Sequence, residues 1–127
     1  MNRPSALWVH LRLPPPISTN ELFVAFNKGG RSVRVKSPNY KKWIAKAYQM
    51  IALQNPYRVE GPYGLRIVVP AKTRMDISNA IKAVEDVLVS SRLTDDDRYC
   101  QNIEIRKGTG EFTEVSIIST REIKQCK

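Results

Sequence analysis

Two places in this chain hold residues that could do chemistry. The first is Asp76, followed six residues later by Lys82. The second is Asp95-Asp96-Asp97, close beyond Lys82 in the sequence. Carboxylates brought together repel one another unless a cation lies between them. Two that converge would bind a hard divalent ion through oxygen, with water retained on the metal. Such an ion could activate water and stabilise charge building on a phosphoryl oxygen. Lys82 could add a further positive charge toward a phosphate. Each acid also has a structural alternative. Asp76 is a good helix N-cap, aspartates in a turn are often only solvated, and Lys82 can pair with Asp86 at i,i+4.

The elements that must position these residues can be read from patterning. Ala6–Leu13 is largely apolar with some alternation and reads as a strand, ended by Pro14-Pro15-Pro16. Ile17–Asn20 follows as a turn. Leu22–Phe26 and Ser32–Lys36 flank Asn27–Arg31, where Gly29-Gly30 reads as a hairpin turn. That hairpin carries Lys28, Arg31, Arg34 and Lys36, a basic arm suited to a phosphate backbone.

Ser37-Pro38 starts a helix running to about Gln54, with Ser37 as N-cap and Asn55-Pro56 as its end. Tyr40, Trp43, Ile44, Ala47 and Ile51 can share its buried face, while Lys41, Lys42 and Lys46 face elsewhere. Gly64–Val69 reads as a strand. Ile77–Ser90 reads as a second helix, with Ile77, Ala80, Ile81, Val84, Val87 and Leu88 as its apolar stripe. Arg92–Asp97 is then a turn, and Ile103–Arg106 and Phe112–Ser119 are strands joined across Gly108–Gly110. The expected class is α+β, with two main helices on a mixed, mostly antiparallel sheet. In such a path, Asp97 returns toward Asp76 if the second helix packs back across the sheet.

Composition bounds the rest. The chain has 127 residues, 42% of them hydrophobic and 26% charged, which suits one globular domain over 1–127 with 121–127 as a frayed tail. No apolar run reaches the roughly 18 residues of a membrane helix, and Ala6–Leu13 is broken by His10 and Arg12, unlike a signal peptide. One histidine and two cysteines exclude a His-rich metal site and a disulfide scaffold.

The net charge is +9, with a pI near 9.8, which points to a polyanionic partner such as nucleic acid. The charge is unevenly spread. Residues 1–75 carry +11, residues 76–97 carry −4 and residues 98–127 carry +2. Half of all the acids therefore lie in one short segment of a basic chain. A protein that only held phosphate would have little reason to gather carboxylates there.

The stretch Arg74-Met75-Asp76-Ile77-Ser78-Asn79-Ala80-Ile81-Lys82, with Asp86 and then Asp96-Asp97, resembles the RusA-type Holliday junction resolvases. That family has Asp-x-Asp-Asn-x-x-Lys at a helix start, an acid four residues past the lysine, and an Asp-Asp pair whose second member is fifteen past it. Asp97 falls at that position without a gap. Pro15-Pro16-Ile17-Ser18-Thr19-Asn20 is similar to the family's Pro-Pro-Ser-x-Asn segment, with one extra residue. The likeness spans roughly residues 8–107.

The resemblance implies a homodimeric endonuclease that cuts four-way DNA junctions in recombination and repair. It implies Mg²⁺, with Mn²⁺ as its substitute, and a bacterial, phage or prophage origin with cytoplasmic location. By position, Asp76, Lys82 and Asp97 match catalytic residues, with the lysine on phosphate. Asp76, Asp97, Asp96 and Ser78 match metal positions. The residues expected to meet DNA are Asn20, Lys28, Arg31, Arg34, Lys36, Lys72, Arg74 and Asn79.

There are two departures. Met75 stands where the pattern often has arginine, and Ser78 replaces the second aspartate. A serine hydroxyl can ligate Mg²⁺ directly or through water, but it brings no charge. Three readings follow: an active junction endonuclease, a catalytically impaired junction-binding homologue, and a basic RNA-binding or assembly protein without chemistry. The carboxylate segment weighs against the last, because without a metal it repels phosphate.

Overall fold

The computed structural model describes residues 8–17, 23–72 and 77–120. Strand β1 (Trp8–Leu13) is followed by the hairpin strands β2 (Phe23–Lys28) and β3 (Arg31–Lys36), helix α1 (Pro38–Gln54), strand β4 (Tyr63–Pro70) and helix α2 (Ile77–Ser90). A 3₁₀ turn at Asp97–Tyr99 then leads into β5 (Cys100–Gly108) and β6 (Thr113–Ser119). This is the expected α+β order. Four strands form one sheet in the order β1-β6-β4-β5, and β2-β3 forms a separate two-stranded ribbon. β6 runs antiparallel to both β1 and β4, while β4 and β5 are parallel with α2 as their crossover. The sheet is thus mixed and mostly antiparallel.

Several boundaries differ from the sequence expectation. The hairpin loop is only Gly29-Gly30, with φ of 58° and 78°, the primed-turn backbone that favours glycine at both positions. Asn27, Lys28 and Arg31 therefore belong to the strands. β5 reaches from Cys100 to Gly108, longer than Ile103–Arg106, because its polar ends are held by the β4 ladder rather than by an apolar pattern.

Helix α1 forms where its caps place it. The Tyr40 backbone N–H donates to Ser37 Oγ (3.0 Å), Pro38 opens the first turn, and Asn55 closes the last in the left-handed region at φ 47°. Its Tyr40, Trp43, Ala47 and Ile51 join Val9, Leu11, Leu13, Leu65, Ile67, Val69, Val115 and Ile117 of the sheet in one core. Ala80, Ala83, Val84, Val87 and Leu88 of α2 complete it. Both helices cover the same face of the sheet. The other face is more open, and there Arg66 stacks on Trp8 (4.7 Å) and pairs with Glu104 (3.0 Å).

The proline segment after β1 is pinned through its carbonyls. Trp43 Nε1 donates to Pro15 O (2.9 Å) and Thr113 Oγ1 to Pro14 O (2.8 Å). The outer edge of β1 is closed by a side chain. Gln54 accepts from the Arg12 N–H (2.6 Å) and donates to the Arg12 carbonyl (2.7 Å), as a neighbouring strand would.

Helix α2 ends at a backbone reversal. Arg92 sits at φ 66°, and Leu93 N–H donates back to Leu88 O (3.0 Å), a Schellman arrangement with arginine where glycine is usual. The chain then runs beside the segment that leads into β4. Val59 bridges Thr94, and Val59 N–H donates to Leu93 O (2.8 Å).

Candidate active site

The three consecutive aspartates, alike in sequence, do three different things. Asp95 is a tether: it pairs with Arg58 and accepts from the Gly61 N–H (2.9 Å). Arg58 also donates to Arg92 O, so the acidic loop is tied to the approach to β4. Asp96 is the cap of the 3₁₀ turn, accepting from the Arg98 N–H (3.1 Å). That N–H, with the Asp97 carboxyl and the Arg98 charge beside it, holds Asp96 below the usual carboxylate range. Asp97 is exposed and forms no ion pair among the described residues. Of the three, it is the one with neither a tether nor a capping bond from a backbone N–H among the described residues.

The 3₁₀ turn that carries Asp97 packs on α2. Two acids of α2, Glu85 and Asp86, lie within electrostatic range there, and Asp97 and Asp86 both push the Glu85 carboxyl upward, after burial as the larger cause. Asp86 receives the Tyr40 hydroxyl at 3.5 Å. Burial, then the Asp86 charge, lifts that phenol to about 12. Lys82 is exposed and makes no ion pair with Asp86. The i,i+4 pair that the sequence allows is not formed, and Asp86 instead meets Tyr40 across the two helices.

The remaining expected residues divide as follows. Asp76, Arg74 and Asn20 lie outside the described residues. Ser78 and Asn79 have backbone places in the first turn of α2, and Lys28 in β2. Ile77 is eight residues ahead of Glu85, about 12 Å along the axis at about 1.5 Å per residue. The described structure thus brings Asp97 together with the second half of α2. Arg31, Arg34 and Lys36 are exposed on β3, and Lys72 is exposed just past β4. Lys36 reaches over the Tyr40 ring at 5.7 Å, which links the basic hairpin to the two helices and so to Asp86.

Sequence reading missed Glu85. It follows Ile81 by four residues and precedes Leu88 by three, so it flanks the apolar stripe of α2. An acid at the margin of such a stripe was the available signal.

No group of three His, Cys, Asp or Glu side chains that could hold a metal occurs among the described residues. The donors offered by Asp97 and Asp96 are carboxylate oxygens. That donor set fits a hard cation such as Mg²⁺ rather than a soft one. No helix among the described residues is long and apolar enough to cross a membrane.

An exposed acid thus lies fifteen residues past an exposed lysine, on a mixed α+β sheet with a basic hairpin. The family model of endodeoxyribonuclease RusA matches residues 13–118, and the chain belongs to that nuclease family. No curated protein matches the chain.

Proposed function

We propose that this protein is a Mg²⁺-dependent, homodimeric endonuclease that cuts four-way DNA junctions in recombination and repair. The observation that carries the reading is Asp97. It is the aspartate without a tethering or capping task, and it stands fifteen residues past Lys82.

Asp97 and Asp76 would hold the cation, with Asp96 and the Ser78 hydroxyl as further oxygen donors. When bound, Mg²⁺ supplies Lewis acidity toward a phosphoryl oxygen and lowers the pKa of an attacking water. Lys82, exposed on α2, places its ammonium on a non-bridging phosphate oxygen and stabilises the charge that grows there. Arg31, Arg34 and Lys36 of the hairpin, with Lys72, hold neighbouring phosphates in a salt-dependent way. Lys28, Arg74, Asn20 and Asn79 are proposed to join them. A two-fold dimer suits a substrate with approximate two-fold symmetry and offers two equivalent sites for paired cuts. A bacterial, phage or prophage protein acting in the cytoplasm fits this work.

The test is junction cleavage with and without Mg²⁺. Wild-type protein should nick a four-way junction only with the metal. Asp97→Asn and Asp76→Asn should stop cutting while binding persists; equal cutting by either variant refutes its assigned role. Ser78 favours one second reading, a junction-binding homologue with impaired chemistry. That reading expects tight binding, no cleavage in Mg²⁺ or Mn²⁺, and cleavage switched on by Ser78→Asp.

A further inference from the structure

The two edges of the main sheet differ. β1 lies at one edge, and Gln54 closes its outer side by bonding both the N–H and the carbonyl of Arg12. β5 lies at the other edge, and among the described residues no strand but β4 pairs with it. Alternate backbone groups of such a strand point away from the sheet and can template another chain. Edges of this kind are commonly blunted by proline, a bulge or repelling charge. β5 has one irregularity, at its start; from Asn102 to Gly108 its ladder is regular and holds no proline. Its charges are of both signs: Glu104, then Arg106 and Lys107.

The order of these seven residues is self-complementary. Ile105 is their midpoint. In an antiparallel pairing of two copies about Ile105, Glu104 of each copy faces Arg106 of the other, and Ile105 faces its own counterpart. Ile103 then lies against the aliphatic stem of Lys107. Ile105 already packs on the core, and Ile103 is 40% exposed, so the pairing gathers apolar side chains from both copies on the helix-covered side of the sheet. Glu104 and Arg106 alternate with them. Glu104 bonds Arg66, while Arg106 forms no ion pair among the described residues. Moving the centre by one residue sets Glu104 against Glu104, or Arg106 against Arg106, and loses the match.

We propose that the free edge of β5 is an interface for a second copy of this chain, added antiparallel about Ile105 so that two four-stranded sheets become one of eight. The contact is isologous, so pairing closes at two copies, and the Gln54 cover on β1 keeps the far edges from extending it. The proposal rests on the homodimer reading above and gives it a surface.

The test is sedimentation of the full chain over a wide concentration range, with circular dichroism to check the fold. Arg106→Glu sets Glu104 against a carboxylate at both crossing points, and Glu104→Arg sets Arg106 against a guanidinium. Each variant alone should dimerise about 10-fold more weakly or worse. Mixed in equal amounts, the two should associate as tightly as wild type, because opposite charges again face each other at both crossings. That recovery reads the interface even where one variant is less stable. If both single variants dimerise as wild type does, the β5 interface falls and the homodimer stands. Weakened association that mixing does not restore overturns the proposal. A wild-type chain that stays monomeric overturns the proposal and the homodimer together, and the cleavage assay decides the nuclease reading separately.

Discussion

Truncating Asp95 should unfold the protein more readily than truncating Asp97, although the two are separated by one residue and look equivalent in sequence. Asp95→Ala removes two contacts. One is the Arg58 pair, whose side chains are 43% and 32% exposed, so solvent screening limits it to about 0.5 kcal/mol. The other is the bond from the Gly61 N–H at 2.9 Å. Gly61 is buried, and leaving its donor without an acceptor costs about 1.5 kcal/mol. Together they predict a loss of about 2 kcal/mol, or a fall in Tm of about 8 °C for a domain of this size. Asp97 is exposed and pairs with no cation, so Asp97→Ala should stay within about 0.5 kcal/mol of wild type. Urea unfolding followed by circular dichroism reads both. A double-mutant cycle with Arg58→Ala should return a coupling of about 0.5 kcal/mol. Equal stability losses for the two aspartates, or an Asp95→Ala protein as stable as wild type, would refute this division of labour.

Arg92→Gly should stabilise the protein by about 1 kcal/mol, because φ 66° at the end of α2 strains arginine and not glycine; thermal melting checks it. Cys100 should react slowly with thiol reagents. Burial, then the Glu85 charge, pushes its thiol up to about 11, so at pH 8 a Cys126→Ser protein should react with DTNB one to two orders of magnitude, roughly, below a free cysteine, and Glu85→Gln should speed it. In metal-free buffer, the raised Glu85 carboxyl makes the folded state hold its proton more tightly than the unfolded chain does. That stability is complete below the ordinary carboxylate range and fades as pH rises through the raised value. Urea midpoints across pH 4–8 should therefore fall less steeply with rising pH in Glu85→Gln than in wild type, and identical slopes would contradict the assignment.

Local chemistry made much of the fold readable. Ser37-Pro38 and Asn55 bound α1 because caps and the proline at the first turn act within a few residues. Gly29-Gly30 marked the hairpin because only the turn backbone demands glycine. The ends of β5 were not readable, since Cys100, Asn102 and Lys107 are held by pairing with β4, a distant partner. The acidic segment was legible as a concentration of charge. The separate fates of Asp95, Asp96 and Asp97 were not. Asp95 is decided by Arg58, thirty-seven residues away, and no local pattern carries that information. Glu85 was hidden between Lys82 and Asp86, where helical wheels alone do not say how deep a flanking acid will sit.

The tie between residues 58–61 and 93–95 has a consequence for the order in which the molecule assembles. The loop bearing Asp97 is fastened to the segment before β4 by Val59, Gly61 and Arg58, whereas Lys82 travels with α2. Asp97 and Lys82 thus belong to units that can open separately. The Val59 and Gly61 amides should exchange with solvent hydrogen together, as one cooperative event that detaches the acidic loop. The first-turn amides of α2 should exchange by fraying, without disturbing it. Long-range closure of this seam comes late for a chain with such separated partners. Before that closure, Lys82 is already carried by its helix while Asp97 is not yet held in place.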